Sequence, residues 1–182
     1  MTLRHLSDYE RKYVSAIHEA GHVVVAEHFG LNIILATISK DVTAKLGRPQ
    51  NSGLVLTEAP KDFPLIHECA RKSGGFISEQ LLFPGLISDG AKHDHEELGY
   101  VSEGMRRIAR KNAEKILTNR KHHLEKMVEY LLQHKAIASY DDDSYHPVTD
   151  EEIATIALFV KDNKERVRPF AAIDPQFLFA ED

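Results

Sequence analysis

The sequence has little of several features that define whole classes of protein. It contains one cysteine, Cys69, and no tryptophan, so an intramolecular disulfide framework and a zinc site built from several cysteines are both excluded. A single thiol is also typical of a reducing compartment. The chain has no run of about 18 apolar residues, which a membrane-spanning helix requires, and the polar residues 1–11 lack the pattern of a secretory signal. We therefore expect a cytoplasmic protein without a membrane segment.

Neither sign of charge is in large excess. The chain carries 23 Lys and Arg against 28 Asp and Glu, for a formal net charge of -5. This balance predicts no strongly basic face and hence no nucleic-acid partner. A length of 182 residues with 42% hydrophobic and 28% charged residues is typical of one globular domain. We expect a single domain over residues 1–182, with its core over 7–160 and a tail over 163–182.

Apolar periodicity predicts a mainly α fold of about five to six helices. The predicted helices are 7–29, 62–83, 94–119, 120–136 and 150–161, the third and fourth forming one bent helix or a hairpin. Ser7 and Glu10 are spaced for a capping box, and Gly30 is placed to end the first helix. Apolar segments at 31–39 and 53–58, separated by a loop, predict a small two-stranded β-ribbon.

The second predicted helix has an N-cap candidate in Asp62 and contains two adjacent glycines, Gly74 and Gly75. A glycine inside a helix costs about 1 kcal/mol relative to alanine. We therefore expect another backbone to approach this helix closely.

The chemistry of the chain is indicated by the sequence His18-Glu19-Ala20-Gly21-His22, an HExxH pattern inside the first predicted helix. Residues i and i+4 point almost the same way on a helix, so both imidazoles can bind one zinc ion. Glu19 would flank that metal and move a proton from the attacking water to the leaving amine. The plain alternative, in a chain with 11 histidines, is two solvated histidines on a helix face.

A third protein ligand would distinguish a zinc site from two solvated histidines, because a catalytic zinc site usually has three protein ligands and one open position. His28 completes a metzincin-like spacing, but it would face away from His22 on a continuous helix. Glu79 fits the pattern of a glutamate on a later helix. Asp94 follows a small-residue turn, where it could also be a simple helix cap. Periodicity does not choose between Glu79 and Asp94.

Four blocks of the chain, in order, resemble the protease domain of the FtsH-type ATP-dependent zinc metalloproteases. Residues 16–22 resemble the active-site helix of that family, and residues 52–56 resemble its edge strand. Residues 74–83 resemble its glycine-glycine helix, and residues 90–94 resemble its glycine-alanine-x-asparagine-aspartate block. The later helix 111–136 also looks similar, so the likeness covers about residues 7–160.

The resemblance implies an FtsH protease-domain-like fold and a ligand set of His18, His22 and Asp94 for one zinc ion per chain. It implies that Glu79 supports the site without ligating zinc. His93 stands where the family has asparagine, so the surroundings of the ligand could differ. His93 is a candidate for a supporting role beside the metal, and the alternative, which we favour, is a surface residue at a helix start. The chain has no Walker A pattern, so any ATPase would be a separate partner, and the ring assemblies of the family leave a homo-oligomer open.

These observations predict a zinc metalloendopeptidase that hydrolyses unfolded or flexible polypeptides, with Glu19 as general base. Gly53, Leu54 and Val55 would hold the substrate by β-augmentation. One alternative is a non-enzymatic regulatory or interaction module that keeps the fold and the zinc site. Another is an HExxH hydrolase acting on an amide that is not a peptide.

Overall fold

The structure is a computed structural model that describes residues 6–85, 88–139 and 144–169. The elements in these ranges are, in chain order, α1 (Asp8–His28), β1 (Asn32–Thr37), α2 (Lys40–Lys45), β2 (Leu54–Glu58), α3 (Leu65–Leu82), α4 (Asp89–Glu97), α5 (Glu103–Asn119), α6 (Lys121–His134), β3 (Ala136–Ser139), β4 (Tyr145–Pro147), α7 (Asp150–Asp162) and β5 (Val167–Pro169). The expected mainly helical fold with a small antiparallel sheet is confirmed. None of the described helices is long and apolar enough to cross a bilayer.

Helix α1 lies at the centre of the molecule. It begins with the predicted capping box, in which the Ser7 amide donates to Glu10 at 2.7 Å and the Glu10 amide donates to the Ser7 hydroxyl at 3.3 Å. It ends before Gly30, whose φ of 72° is the left-handed conformation that glycine adopts without strain. From Val14 to Ala26, α1 is buried on nearly every side, because α3, α5, α6 and β1 all pack against it.

The crossing of α1 and α3 explains the two glycines of α3. A Cβ on Gly74 would lie 2.6 Å from the carbonyl oxygen of Gly21 in α1, so the two backbones are too close for any side chain. This is the backbone approach expected from the sequence. A Cβ on Gly75 would instead lie 2.6 Å from the Nε2 atoms of His18 and His22. The second glycine therefore makes room for side chains and not for a backbone.

The sheet is larger than the two-stranded ribbon expected from the sequence. β1 and β2 pair antiparallel, as predicted, but they form the centre of a five-stranded sheet of order β4-β3-β1-β2-β5. The three additional strands have only three or four residues each, which is too short for a clear period-two pattern. β4 falls between the predicted helices 120–136 and 150–161, and β5 falls in the predicted tail. Residues 140–143, and residues 170–182 of that tail, lie outside the described residues.

Several helix boundaries also differ from the prediction. α3 begins at Leu65 and not after Asp62, because Pro64 disfavours the helical conformation for the residue before it. The helix expected over 94–119 is two helices, α4 and α5, separated after Leu98, and Ser102 caps the second by accepting from the Met105 amide at 3.3 Å. α2 occupies part of the predicted loop after β1. Arg120 separates α5 from α6.

Candidate metal centre

The middle of α1 brings His18 and His22 onto one face, toward α3 and α4. Both side chains are buried, with 6% and 1% of their residue surfaces exposed. The two Nε2 atoms lie 3.0 Å apart, and the rings meet edge to face with centroids 4.6 Å apart. This is the i, i+4 juxtaposition that the HExxH spacing predicts.

Hydrogen bonds on the far side of each ring determine which nitrogen carries the proton. His18 Nδ1 lies 2.7 Å from Glu79 Oε1, and His22 Nδ1 lies 2.9 Å from the carbonyl oxygen of Arg71. Carboxylate and carbonyl oxygens only accept, so both Nδ1 atoms are the donors. The Gly75 amide is also near His22 Nδ1, at 3.3 Å, but a protonated nitrogen cannot accept, and we assign the shorter contact. Each neutral ring therefore directs the lone pair of Nε2 toward the other ring.

Asp94 completes the cluster from α4. Its Oδ2 atom lies 3.1 Å from Nε2 of His18 and 3.1 Å from Nε2 of His22. The Asp94 side chain is buried, and Oδ2 has no hydrogen bond of acceptable geometry to any described residue. Three atoms with lone pairs thus converge from two elements on one point.

This arrangement fits a divalent transition metal ion. His18, His22 and Asp94 are the one group of histidine, cysteine and acidic residues within the described ranges that is close enough to share an ion. Donors around a tetrahedral zinc ion with bonds of about 2.0–2.1 Å lie about 3.3–3.4 Å apart, close to the separations observed here. Two imidazoles and one carboxylate, with room for water, are a donor set typical of catalytic zinc.

Two glycines keep the space beside the imidazoles clear. A Cβ on Gly75, from α3, would approach Nε2 of His22 to 2.6 Å, and a Cβ on Gly90, from α4, would approach Nε2 of His18 to 3.0 Å. Both positions border the atoms that would hold the ion. A side chain at either position would displace the rings or occupy the place of the metal.

Without a metal, protonation relieves the repulsion between these lone pairs. Burial alone would lower the pKa of His18, but Asp94, Glu79 and Glu19 together outweigh burial and raise it well above 6.5. Burial also opposes ionisation of Asp94, yet the rings of His22 and His18 hold the pKa of that carboxyl well below its usual range. The cluster is thus electrostatically arranged for a positive charge, which a proton or a metal cation supplies.

Glu79 lies behind His18 and not beside the converging atoms. Its carboxylate is completely buried and accepts from His18 Nδ1, from the Ser88 amide at 3.1 Å and from the Ser88 hydroxyl. It therefore contacts the ring nitrogen opposite the one that faces Asp94. Such a carboxylate orients a metal-ligating histidine and increases the basicity of its other nitrogen.

Glu19 lies at the border between this cluster and solvent. Glu19 is buried, with 7% of its residue surface exposed. Burial raises the pKa of Glu19, and the charges of Asp94 and Glu79 add to this, while the two imidazoles oppose it. A cleft of about 920 Å³ is lined by His18 and Glu19, together with parts of α1, α2 and α6. A substrate in this cleft would reach the carboxylate of Glu19.

The structure places two other predicted residues away from the cluster. His93 points from α4 toward Glu97, with its Nε2 3.2 Å from Glu97 Oε1 and its side chain 63% exposed. His93 is therefore exposed, which agrees with the surface alternative and not with a supporting role: neighbouring residues on a helix point about 100° apart, so Asp94 faces inward and His93 outward. His28 is exposed at the end of α1 beside Phe29, facing away from the cluster as expected.

The predicted substrate strand lies next to Glu19. A Cβ on Gly53 would lie 2.7 Å from Cγ of Glu19, so the backbone there passes directly beside the carboxylate. Leu54 and Val55 pair with β1, while β5 pairs only with the later residues of β2, from Leu56 onward. Within the described residues, the outer backbone edge at 53–55 is not part of a ladder. Among residues 6–85, 88–139 and 144–169, that short segment and not the whole strand therefore has an unpaired outer edge.

Sequence reasoning did not identify the contributions of Ser88 and of the Arg71 carbonyl. The Arg71 contact is made by a backbone oxygen, which no residue type can signal. Ser88 had a recognisable signal, because serine is one of the preferred N-cap residues. Its hydroxyl accepts from the amide three residues further on, that of Ala91, as an N-cap side chain does. Recognising this cap would also have moved the predicted helix start from Asp94 back to Asp89.

Comparison with protein-family models finds no match to this chain, and comparison with curated proteins finds none either.

Proposed function

We propose that the protein is a zinc metallopeptidase, a motor-less relative of the FtsH-type proteases, that hydrolyses peptide bonds in unfolded or flexible polypeptides. The observation that carries this proposal is the convergence of His18, His22 and Asp94 on one point, with Glu19 beside it at the edge of an open cleft. Zinc is the metal we propose because its usual ligands match this donor set.

Each residue has a separate task in the proposed reaction. His18, His22 and Asp94 would hold the metal, which when bound polarises a carbonyl group and makes a nearby water more acidic. Glu19 takes a proton from the attacking water and delivers it to the nitrogen of the leaving amine. Glu79 keeps the His18 ring in the required orientation and tautomer. The open edge at 53–55 aligns an extended substrate through backbone hydrogen bonds.

The strand edge at 53–55 beside the cleft supports the proposal of an unfolded substrate. Binding through backbone hydrogen bonds requires an extended segment and imposes little sequence preference. Since the sequence carries no Walker A pattern, unfolding of a compact substrate would need a separate ATPase partner. The buried free thiol of Cys69 is compatible with a reducing, cytoplasmic location, which we propose on the same basis.

Replacement of the general base tests the proposal. Glu19→Gln should retain about one zinc per chain but cleave casein about 10²- to 10⁴-fold more slowly, because the proton transfer is lost. Glu129→Gln, the same chemical change at an exposed position of α6, is the matched control and should cleave normally. A chelator should abolish wild-type cleavage, and added zinc should restore it.

Two outcomes would contradict this function in different ways. Normal cleavage by Glu19→Gln would exclude Glu19 as the base. A wild-type protein that binds zinc tightly but cleaves neither casein nor unstructured peptides would instead favour the non-enzymatic module.

A further inference from the structure

One buried serine, Ser88, lies between the two histidines that α1 supplies to the metal centre and the aspartate that α4 supplies. Ser88 immediately precedes α4, and its hydroxyl oxygen accepts from the Ala91 amide at 3.0 Å. This is the N-cap bond that satisfies a backbone donor at the start of a helix. Because α4 carries Asp94, the bond fixes the first turn of the helix that supplies the third donor of the cluster.

The same serine also contacts the carboxylate behind His18. Its hydroxyl donates to Glu79 Oε1, and its amide donates to Glu79 Oε2 at 3.1 Å. Glu79 Oε1 is the atom that accepts from His18 Nδ1 at 2.7 Å. A serine hydroxyl has one proton, which here goes to Glu79, and lone pairs, one of which accepts from Ala91. All three residues Ser88, Glu79 and His18 are buried.

We propose that Ser88 is a positioning residue of the metal centre, which sets the His18 ring through Glu79 and the place of Asp94 through the start of α4. The inference rests on the proposed metal centre but not on the reaction carried out there. A continuous hydrogen-bonded path joins α1, α3 and α4 through one hydroxyl. Loss of that hydroxyl releases both a histidine ligand and the helix of the carboxylate ligand.

A purely structural cap would behave differently, and the chain offers one for comparison. Ser102 caps α5 in the same way, by accepting from the Met105 amide at 3.3 Å, but it is exposed and has no contact with the cluster. Ser88 and Ser102 therefore share the cap and differ in the link to Glu79. Any effect on zinc binding that follows from replacing Ser88 and not from replacing Ser102 is therefore due to the hydrogen bond between Ser88 and Glu79.

The experiment compares the zinc affinity of Ser88→Ala, Ser88→Thr and Ser102→Ala by competition with a chromophoric chelator. Ser88→Ala should weaken zinc binding by about 10- to 100-fold, the usual effect of removing a residue that supports a metal ligand. Ser88→Thr, which keeps the hydroxyl, should restore the affinity. Ser102→Ala should lower the melting temperature and leave the zinc affinity unchanged.

A spectroscopic readout separates positioning from general destabilisation. The visible absorption bands of the Co²⁺-substituted protein report the geometry of the ligands, and they should shift in Ser88→Ala but not in Ser102→Ala. If Ser88 acts through Glu79, adding Glu79→Gln to Ser88→Ala should cost less than the product of the two single effects.

Zinc affinity and a Co²⁺ spectrum unchanged in Ser88→Ala would overturn the inference while leaving the metal centre intact. Failure of the wild-type protein to bind zinc would overturn the metal centre and this inference together.

Discussion

Helix α1 takes part in two clusters of histidine and carboxylate groups, and the carboxylates of the two clusters differ in how their hydrogen-bonding capacity is satisfied. At the end of the helix, Glu27 accepts from His123 at 2.7 Å and from the Tyr145 hydroxyl at 2.5 Å, and it pairs with Arg120 at 3.3 Å. Both of its oxygens are satisfied by donors from other elements. In the middle of the helix, Asp94 Oδ2 lies 3.1 Å from two ring nitrogens, but it has no hydrogen bond of acceptable geometry to a described residue.

The difference separates a cluster that stabilises the fold from one arranged for a ligand. A part-buried carboxylate with a full set of donors needs nothing more, as at Glu27. A buried oxygen without a hydrogen bond costs about 1–3 kcal/mol, which a fold tolerates where a bound group supplies the missing interaction. The Glu27 cluster is also less buried, with 17% of the Glu27 side chain and 36% of the His123 side chain exposed against 6% for Asp94. Burial and hydrogen-bond satisfaction together therefore distinguish the two clusters.

The largest expected effect is on zinc binding by the cluster of His18, His22 and Asp94. Asp94→Ala removes one of three donors, so zinc affinity should fall by more than the 10- to 100-fold typical of supporting residues. At a zinc concentration 100 times its dissociation constant, the wild-type protein should gain about 2.7 kcal/mol of stability, as measured by urea unfolding with and without a chelator. Asp94→Ala, with an affinity more than 100-fold weaker, should gain less than about 0.4 kcal/mol at the same zinc concentration. A gain equal to that of the wild type would show that Asp94 does not hold the ion.

A second test changes the space around the cluster and leaves its donors intact. Gly75→Ala would place a Cβ 2.6 Å from Nε2 of His18 and of His22, and overpacking of this kind typically costs about 1–3 kcal/mol. It should also weaken zinc binding, because the rings must move. Gly104→Ala in α5 is the control, since a Cβ there would meet nothing within 4 Å, and it should stabilise the protein by about 0.4–1 kcal/mol. If Gly75→Ala and Gly104→Ala had the same stability and the same zinc affinity, the centre would not be as closely packed around the imidazoles as the structure indicates.

The smallest effect is expected at the satisfied cluster. Glu27→Gln should lower stability at pH 7 by about 1 kcal/mol, the typical net value of a hydrogen bond, and leave zinc affinity unchanged. Burial opposes ionisation of Glu27, but bonds from His123 and Tyr145 and the charges of His123 and Arg120 outweigh it and lower its pKa below 4.5. Stability from a lowered pKa is present above the unfolded value and is lost as pH falls through the folded value.

The difference in stability between wild type and Glu27→Gln should therefore narrow as the pH falls below about 4.5, the ordinary value for glutamate. Urea unfolding at a series of pH values measures it. A difference in stability that increases as the pH falls, or a change in the zinc affinity of Glu27→Gln at pH 7, would show that the two clusters are not independent.

Much of the fold followed from local patterns. The capping box at Ser7, the stop at Gly30 and the pairing of β1 with β2 are consequences of residues close in sequence, and the structure contains all three. The boundary between α4 and α5 and the strands β3, β4 and β5 did not follow, because short elements depend on contacts made after the chain has folded. The close approach at Gly74 was inferred from its cost in a helix, but its partner Gly21 was not.

The sequence by itself determined that His18 and His22 share one face of α1, since a spacing of four residues needs no knowledge of the rest of the chain. Residue patterns also limited the candidate third donor to Glu79 or Asp94, and the resemblance implied Asp94. Only the tertiary structure shows which of the two carboxylates faces both Nε2 atoms, because both contact His18. Glu79 meets Nδ1 and Asp94 meets Nε2, and which side of a ring faces which helix depends on how α3 and α4 pack against α1.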